Sequence, residues 1–288
     1  MDREGREEFL DLEPQDYIDV EISPDGKHIA LRIRDTDSSD LWIYDIERGI
    51  KNVITTTGRA MDPLWTPEGE RLIYNTIGGG LLSIAADGSD RPRRLTESQD
   101  ASHRAMTWSA DGQLIYVDSL STYRLSMEDG QVAPVYVSDE WVGSSRISPD
   151  GRWMAYHSFK SNRWEVYVRP YPDMGEGEWR ISTDGGGNPR WRADSKMIFY
   201  KDEVNNQILS VSIDTVPEFS PGAPQVMVKG VDYNWRQSWK PYDVHPDGEK
   251  LLMRKYVENT DTGPVFTSLV HVENWFEELK RLAPPDPQ

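Results

Sequence analysis

The chain has 288 residues and no cysteine, and its 49 Asp and Glu against 32 Lys and Arg give a formal net charge of −17. Those numbers exclude a disulfide framework and a cysteine-ligated metal. They also set the surface against nucleic-acid phosphates and anionic membranes, where non-specific binding relies on Lys and Arg. No apolar run approaches the roughly eighteen residues of a membrane span, so direct membrane insertion is not expected. The start, MDREGREEFLDLEP, lacks the basic-then-apolar pattern of a secretory signal, and a mature or excised domain would look the same.

In chain order, the first element is REEFLDL (6–12), which lies where an outer strand should precede the first of six repeats. The repeats are ISPDGKHIAL (22–31), WTPEGERLIY (65–74), WSADGQLIYV (108–117), ISPDGRWMAY (147–156), WRADSKMIFY (191–200) and VHPDGEKLLM (244–253). Their turns fall at 24–26, 67–69, 110–112, 149–151, 193–195 and 246–248, with Ser195 in place of the fifth glycine. Proline presets φ at a turn corner, aspartate bonds its own backbone, and glycine accepts φ > 0. Successive spacings of 43, 43, 39, 44 and 53 residues, one tight turn per unit, mark a β-propeller with one blade per repeat.

Each unit continues in the same way. The residue four before the turn position (Ile22, Trp65, Trp108, Ile147, Trp191, Val244) is expected to wedge between blades. A β-branched and aromatic second strand follows. Third strands read as 41–46, 81–86, 123–127, 165–170, 207–213 and 266–272, and most units close with a fourth, such as KNVITT or PQVMV. The sixth unit lacks its own fourth strand, so the N-terminal segment is expected to complete it and remove an open edge. ENWFEELKRL (273–282) reads as a short terminal helix whose Trp275, Phe276, Leu279 and Leu282 form one apolar face. The expectation is therefore all-β: one six-bladed propeller of four-stranded antiparallel blades over 1–288, closed by the N-terminal strand.

These repeats resemble the Pro-Asp-Gly repeat of TolB-like propellers along essentially the whole chain. Residues 167–200, 220–230, 242–253 and 273–282 are similar to the C-terminal propeller of membrane-anchored bacterial serine/threonine kinases. That resemblance implies an extracytoplasmic, periplasmic location and a sensor or interaction role. The chain holds no His-Arg-Asp, Asp-Phe-Gly or Gly-rich phosphate loop, so no kinase part is present in it.

Catalytic signatures are few. There is no Gly-x-Ser-x-Gly elbow and no His-Glu-x-x-His, and the five histidines are scattered. Asp35, Asp37 and Asp40 in DTDSSD carry oxygens that calcium favours but lack an EF-hand glycine and glutamate; a solvated turn is the competing reading. The connections from each outer strand to the next innermost strand converge on one channel mouth. They carry Tyr17, Asp62, His103, Arg104, Trp141, Asn188 and Arg190 as ligand-binding candidates. The long sixth connection, 230–243, adds Tyr233, Trp235, Arg236 and Trp239, residue types that dominate interface hot spots. Folding back as caps is the alternative for these aromatics.

The leading reading is a non-catalytic, monomeric binding or sensor propeller that takes a protein, peptide or small ligand at this mouth, with no cofactor. A rival is a lactonase- or lyase-type channel enzyme using a divalent cation such as calcium on Asp19, Asp62 and Asp243. A structural scaffold is the third.

Overall fold

The computed structural model describes residues 6–76, 79–98, 103–118, 120–175, 177–229, 238, 240–256 and 267–273. Six antiparallel sheets follow the six repeats. Blade 1 holds strands Asp16–Ile22, His28–Asp35, Ser38–Asp45 and Ile50–Val53, and blade 2 holds Ala60–Trp65, Arg71–Thr76, Leu81–Ala85 and Arg93–Arg94. Blade 3 holds Arg104–Trp108, Leu114–Asp118, Ser121–Leu125 and Val132–Tyr136, and blade 4 holds Val142–Ile147, Trp153–Ser158, Glu165–Pro170 and Trp179–Arg180. Blade 5 holds Gly187–Trp191, Met197–Asp202, Gln207–Asp214 and Gln225–Lys229, with a short extra pairing by Ser220–Pro221.

Blade 6 is assembled from both ends of the chain. Tyr242–Val244, Leu251–Tyr256 and Thr267–Glu273 are followed outward by Arg6–Phe9, with Arg6 opposite Glu273 and Phe9 opposite Val270. The expected N-terminal closure is therefore present. Among the described residues there is no helix. Glu273, expected to open one, ends a strand, and the remainder of 273–282 lies outside the described residues.

The alternation of β-branched and aromatic residues gives each sheet two apolar faces, and six buried clusters fill the six gaps between neighbouring blades. Blades 4 and 5 share Trp153, Val166, Trp191, Ile198 and Val211, while blades 6 and 1 share Leu252 and Leu269 with Val20 and Leu31. Each such side chain contributes about 1.5–3 kcal/mol when fully buried.

The wedge residues do more than fill space. The indole N–H of Trp65 donates to the Glu21 carbonyl at 3.1 Å, that of Trp108 to the Trp65 carbonyl at 2.8 Å, and that of Trp191 to the Arg146 carbonyl at 3.0 Å. Each bond ties an innermost strand to the one before it. The turns themselves are uniform. Gly26 has φ of 74° and Ser195, the one departure from glycine, holds φ of 61°.

Trp191→Phe keeps an aromatic ring but loses the indole N–H, leaving the Arg146 carbonyl without its donor. It should lower unfolding free energy by about 1–3 kcal/mol in urea titrations; an unchanged midpoint would contradict the tie.

Candidate binding site

Antiparallel alternation fixes which loops meet. Innermost strands descend from the mouth at which outer strands hand over to the next blade, and the loops joining second to third strands return to that same mouth. The Pro-Asp-Gly turns gather at the opposite end. There they pack on one another: Asp150 N donates to Ser195 Oγ at 3.0 Å, and a Cβ on Gly26 would lie 2.6 Å from His245 Nε2.

All six turns share one backbone bond, from the turn residue N–H to the carbonyl three positions earlier. Residues five before the turn therefore sit at comparable height around the channel. Five before the turn stand Glu21, Leu64, Thr107, Arg146, Arg190 and Asp243; seven before it, nearer the loop mouth, stand Asp19, Asp62, Ala105, Ser144, Asn188 and Pro241. In blades 2, 3, 4 and 5 the strand bulges between these levels. The bulged residues Asp62, Ser144 and Asn188 hold positive φ of 51°, 48° and 52°. Left-handed backbone costs non-glycine residues about 1–3 kcal/mol, and such bulges re-aim side chains at binding and catalytic sites.

Four ion pairs occupy this channel wall. Arg32 meets Asp19 at 3.4 Å, Arg104 meets Asp62 at 3.1 Å, Arg190 meets Asp243 at 3.3 Å, and Lys240 meets Glu21. The acids also latch blades: Glu21 accepts from Trp65 N at 3.2 Å, and Asp243 accepts from Ile22 N at 2.8 Å. Lys240 Nζ further donates to the Pro63 carbonyl, and burial holds its ammonium below the usual lysine range. Burial, with Asp19 adding repulsion, pushes the Asp62 carboxyl up.

Above blades 4 and 5 the wall continues to the surface. Asn188 Nδ2 donates to Ser144 Oγ at 3.1 Å, and Asn188 N donates to His157 Nδ1 at 3.2 Å. The His157 ring lies 4.7 Å from that of Trp164, which in turn meets Phe159 edge-on at 5.4 Å. Phe159 N donates to the Trp141 carbonyl at 3.3 Å, joining this loop to the handover from blade 3. Trp141 is 53% exposed, Phe159 41% and Val137 68%. A solvent-facing aromatic rim thus leads inward through His157 and Asn188 to buried Arg190.

Among the candidates from sequence, Trp141 lies on this rim and Asn188 and Arg190 lie beneath it. Asp62 and Arg104 pair on the opposite wall. Tyr17 is wholly buried in the packing of blades 6 and 1, its hydroxyl donating to the Glu13 carbonyl at 2.7 Å. His103 is nearly buried, bonded to Thr96 Oγ1 at 2.8 Å and Asp118 at 3.2 Å. Tyr233, Trp235, Arg236 and Trp239 lie outside the described residues. Asp19, Asp62 and Asp243 each face a basic partner, and among the described residues no three His, Asp or Glu gather into a group that could hold one ion. DTDSSD spans the turn Thr36–Asp37 and the strand ends flanking it in blade 1, with Asp40 accepting from Thr55 Oγ1 at 2.7 Å. Sequence reasoning missed Glu21, Arg146, Ser144 and Lys240. A charge at the fifth position before the turn, one residue before the wedge residue, was the available signal for the first two.

Six blades around a charged channel with a loop-built mouth define a six-bladed β-propeller. The chain belongs to the TolB β-propeller domain family, whose sequence model matches residues 1–242. Among curated proteins none matches the chain. Among solved structures, TolB from Acinetobacter baumannii is similar at a TM-score of 0.66 and 15% identity, over 86% of this chain and 64% of that one. This chain thus spans under two thirds of that protein. A structure assigned as TolB from Agrobacterium tumefaciens is similar at 0.61 and 15% identity, over 90% and 91% of the two chains. An oligogalacturonate lyase in complex with manganese reaches 0.60 at 10% identity, over 94% and 98%. At such identities these likenesses establish the fold. No helix among the described residues is long and apolar enough to cross a membrane.

Burial holds the His157 imidazole down at about 3, with Lys201 and Arg190 adding repulsion. A histidine neutral in the native state but titrating near 6.5 when unfolded stabilises the fold above 6.5, and that contribution is lost as pH falls from 6.5 toward 3. His157→Gln keeps an acceptor for the Asn188 amide and removes the titration. Its stability should fall less steeply than wild type between about pH 6 and 4, by up to about 1.4 kcal/mol per unit, in urea unfolding at each pH. Parallel slopes would contradict a neutral buried ring.

Proposed function

We propose that this propeller is a non-catalytic binding module that takes a protein segment or peptide at the loop mouth, over blades 4 and 5. The exposed aromatic rim of Trp141, Phe159 and half-buried Trp164 carries this reading. Clustered large apolar groups are kept in water at a cost in solubility, and rimmed patches of this kind mark interaction sites. Trp is enriched among the residues that carry binding energy. The channel acids support binding over metal-assisted chemistry, since each is engaged by a basic partner and two also latch neighbouring strands.

Similarity to the propellers of membrane-anchored kinases supports a sensor placed outside the membrane, where ligand capture at the mouth would be relayed through the chain that carries it. Tyr233, Trp235, Arg236 and Trp239 of the 230–243 connection, outside the described residues, are further candidates at the same mouth.

Peptides selected against the folded propeller from a random library test the assignment. Trp141→Ala and Phe159→Ala should each weaken the selected peptides about tenfold or more. Glu68→Ala, at the turn end, should leave them unchanged. Binders that ignore the rim substitutions and respond at the turn end would overturn it.

A further inference from the structure

Among the described residues, the Arg146 guanidinium stands outside the four ion pairs of the channel wall. Arg146 is 8% exposed, and among the described residues it has no carboxylate partner. Its Nη1 donates to the Met106 and Ser145 carbonyls, the latter at 3.3 Å. Arg190, at the same height on the next blade, spends Nε on Asp243 and Nη1 on the Pro189 carbonyl at 3.2 Å. Its Nη2 is buried with no hydrogen-bond partner. The level therefore divides, with acids on blades 6 and 1 and guanidiniums on blades 4 and 5.

Such an arrangement is costly. Taking a guanidinium out of water is unfavourable, and a buried donor left without an acceptor adds its own desolvation. Burial and the neighbouring Arg190 charge lower Arg146 to about 9, with Glu21 and Asp243 offsetting part of this from a distance. Arginine is not a requirement of the repeat at this position, since Leu64 and Thr107 occupy it in blades 2 and 3. A planar guanidinium with a free edge beside a second one matches the two oxygens of a carboxylate, which would cancel the repulsion and use the idle donor.

We infer that Arg146 and Arg190, beneath Ser144 and Asn188, form a receptor for a carboxylate group entering from the loop mouth. This inference rests on the mouth being the binding face and adds the ligand's chemistry: an acidic side chain or chain-terminal carboxylate, carried by a segment whose apolar part meets the rim. Recognition then has two parts, aromatic contact outside and charge neutralisation within.

Free anions test the inner part without a partner protein. With ionic strength held by chloride, acetate and N-acetylglutamate should raise the melting temperature of the wild type by roughly 2–3 °C per tenfold increase above the dissociation constant. The side-chain Nε–H resonances of Arg146 and Arg190 should shift over the same concentrations. Arg146→Met should lose the carboxylate response while melting no lower than wild type in chloride, because removing a buried guanidinium offsets the lost bonds to the Met106 and Ser145 carbonyls. A lower melting temperature in chloride would make Arg146 a structural staple to Met106 and overturn the assignment.

Absent guanidinium shifts in the wild type would overturn it whether or not the variant folds. A response to phosphate but not to carboxylates would overturn the choice of ligand. Failure of these anions with continued peptide dependence on Trp141 would remove only this inference and leave the rim reading intact.

Discussion

Every sheet in this molecule is apolar on both faces, and that constraint governs the rest. A sheet of this kind gains little by packing on one neighbour, since its second face would remain in water. Ring closure gives each blade two neighbours, which is why six interfaces hold six separate clusters. The last interface forms only because Arg6–Phe9 pairs with Thr267–Glu273 in the same sheet as Tyr242–Val244. Closure also brings six innermost strands together around an axis, and there the apolar logic stops. Backbone and side-chain polar groups in the channel have to satisfy one another, and the ion pairs and inter-blade latches do this on most of the wall.

That division explains where the sequence was informative. The repeat could be read because the turn demands particular chemistry: proline for its first corner, aspartate for its local bond, and φ > 0 at the residue filled by Gly26 or Ser195. Strand periodicity located the third and fourth strands to within a few residues. The gap at the end of the sixth unit pointed to Arg6–Phe9 because an open edge is unfavourable. All of these signals are local, or follow from counting.

The site was legible only in part. Trp141, Asn188 and Arg190 were found because they lie at handovers between blades, which topology gathers at one mouth. Arg146 and Glu21 were hidden inside strands, where a single charge reads as an outward-facing residue. Their role emerges once the six repeats are aligned on the turn and the same height is compared around the ring. Phe159 and Trp164 sit in a loop between second and third strands, a class of loop the linear reading did not assign to the mouth. Tyr17 shows the converse. It lies at a handover, but the neighbouring blade buries its ring, and the hydroxyl closes on Glu13.

The wall above blades 4 and 5 combines features that are costly to the fold: left-handed Ser144 and Asn188, an unmatched guanidinium, and tryptophan and phenylalanine in water. These features together motivate our proposal that this sector is the binding face. A crystal structure of the propeller with a selected peptide measures that claim most directly. Peptide density crossing Trp141 and Phe159, with a carboxylate on the Arg146 and Arg190 guanidiniums, is the predicted result. Density at the Pro-Asp-Gly end, or on the outer edge of a blade, would contradict it.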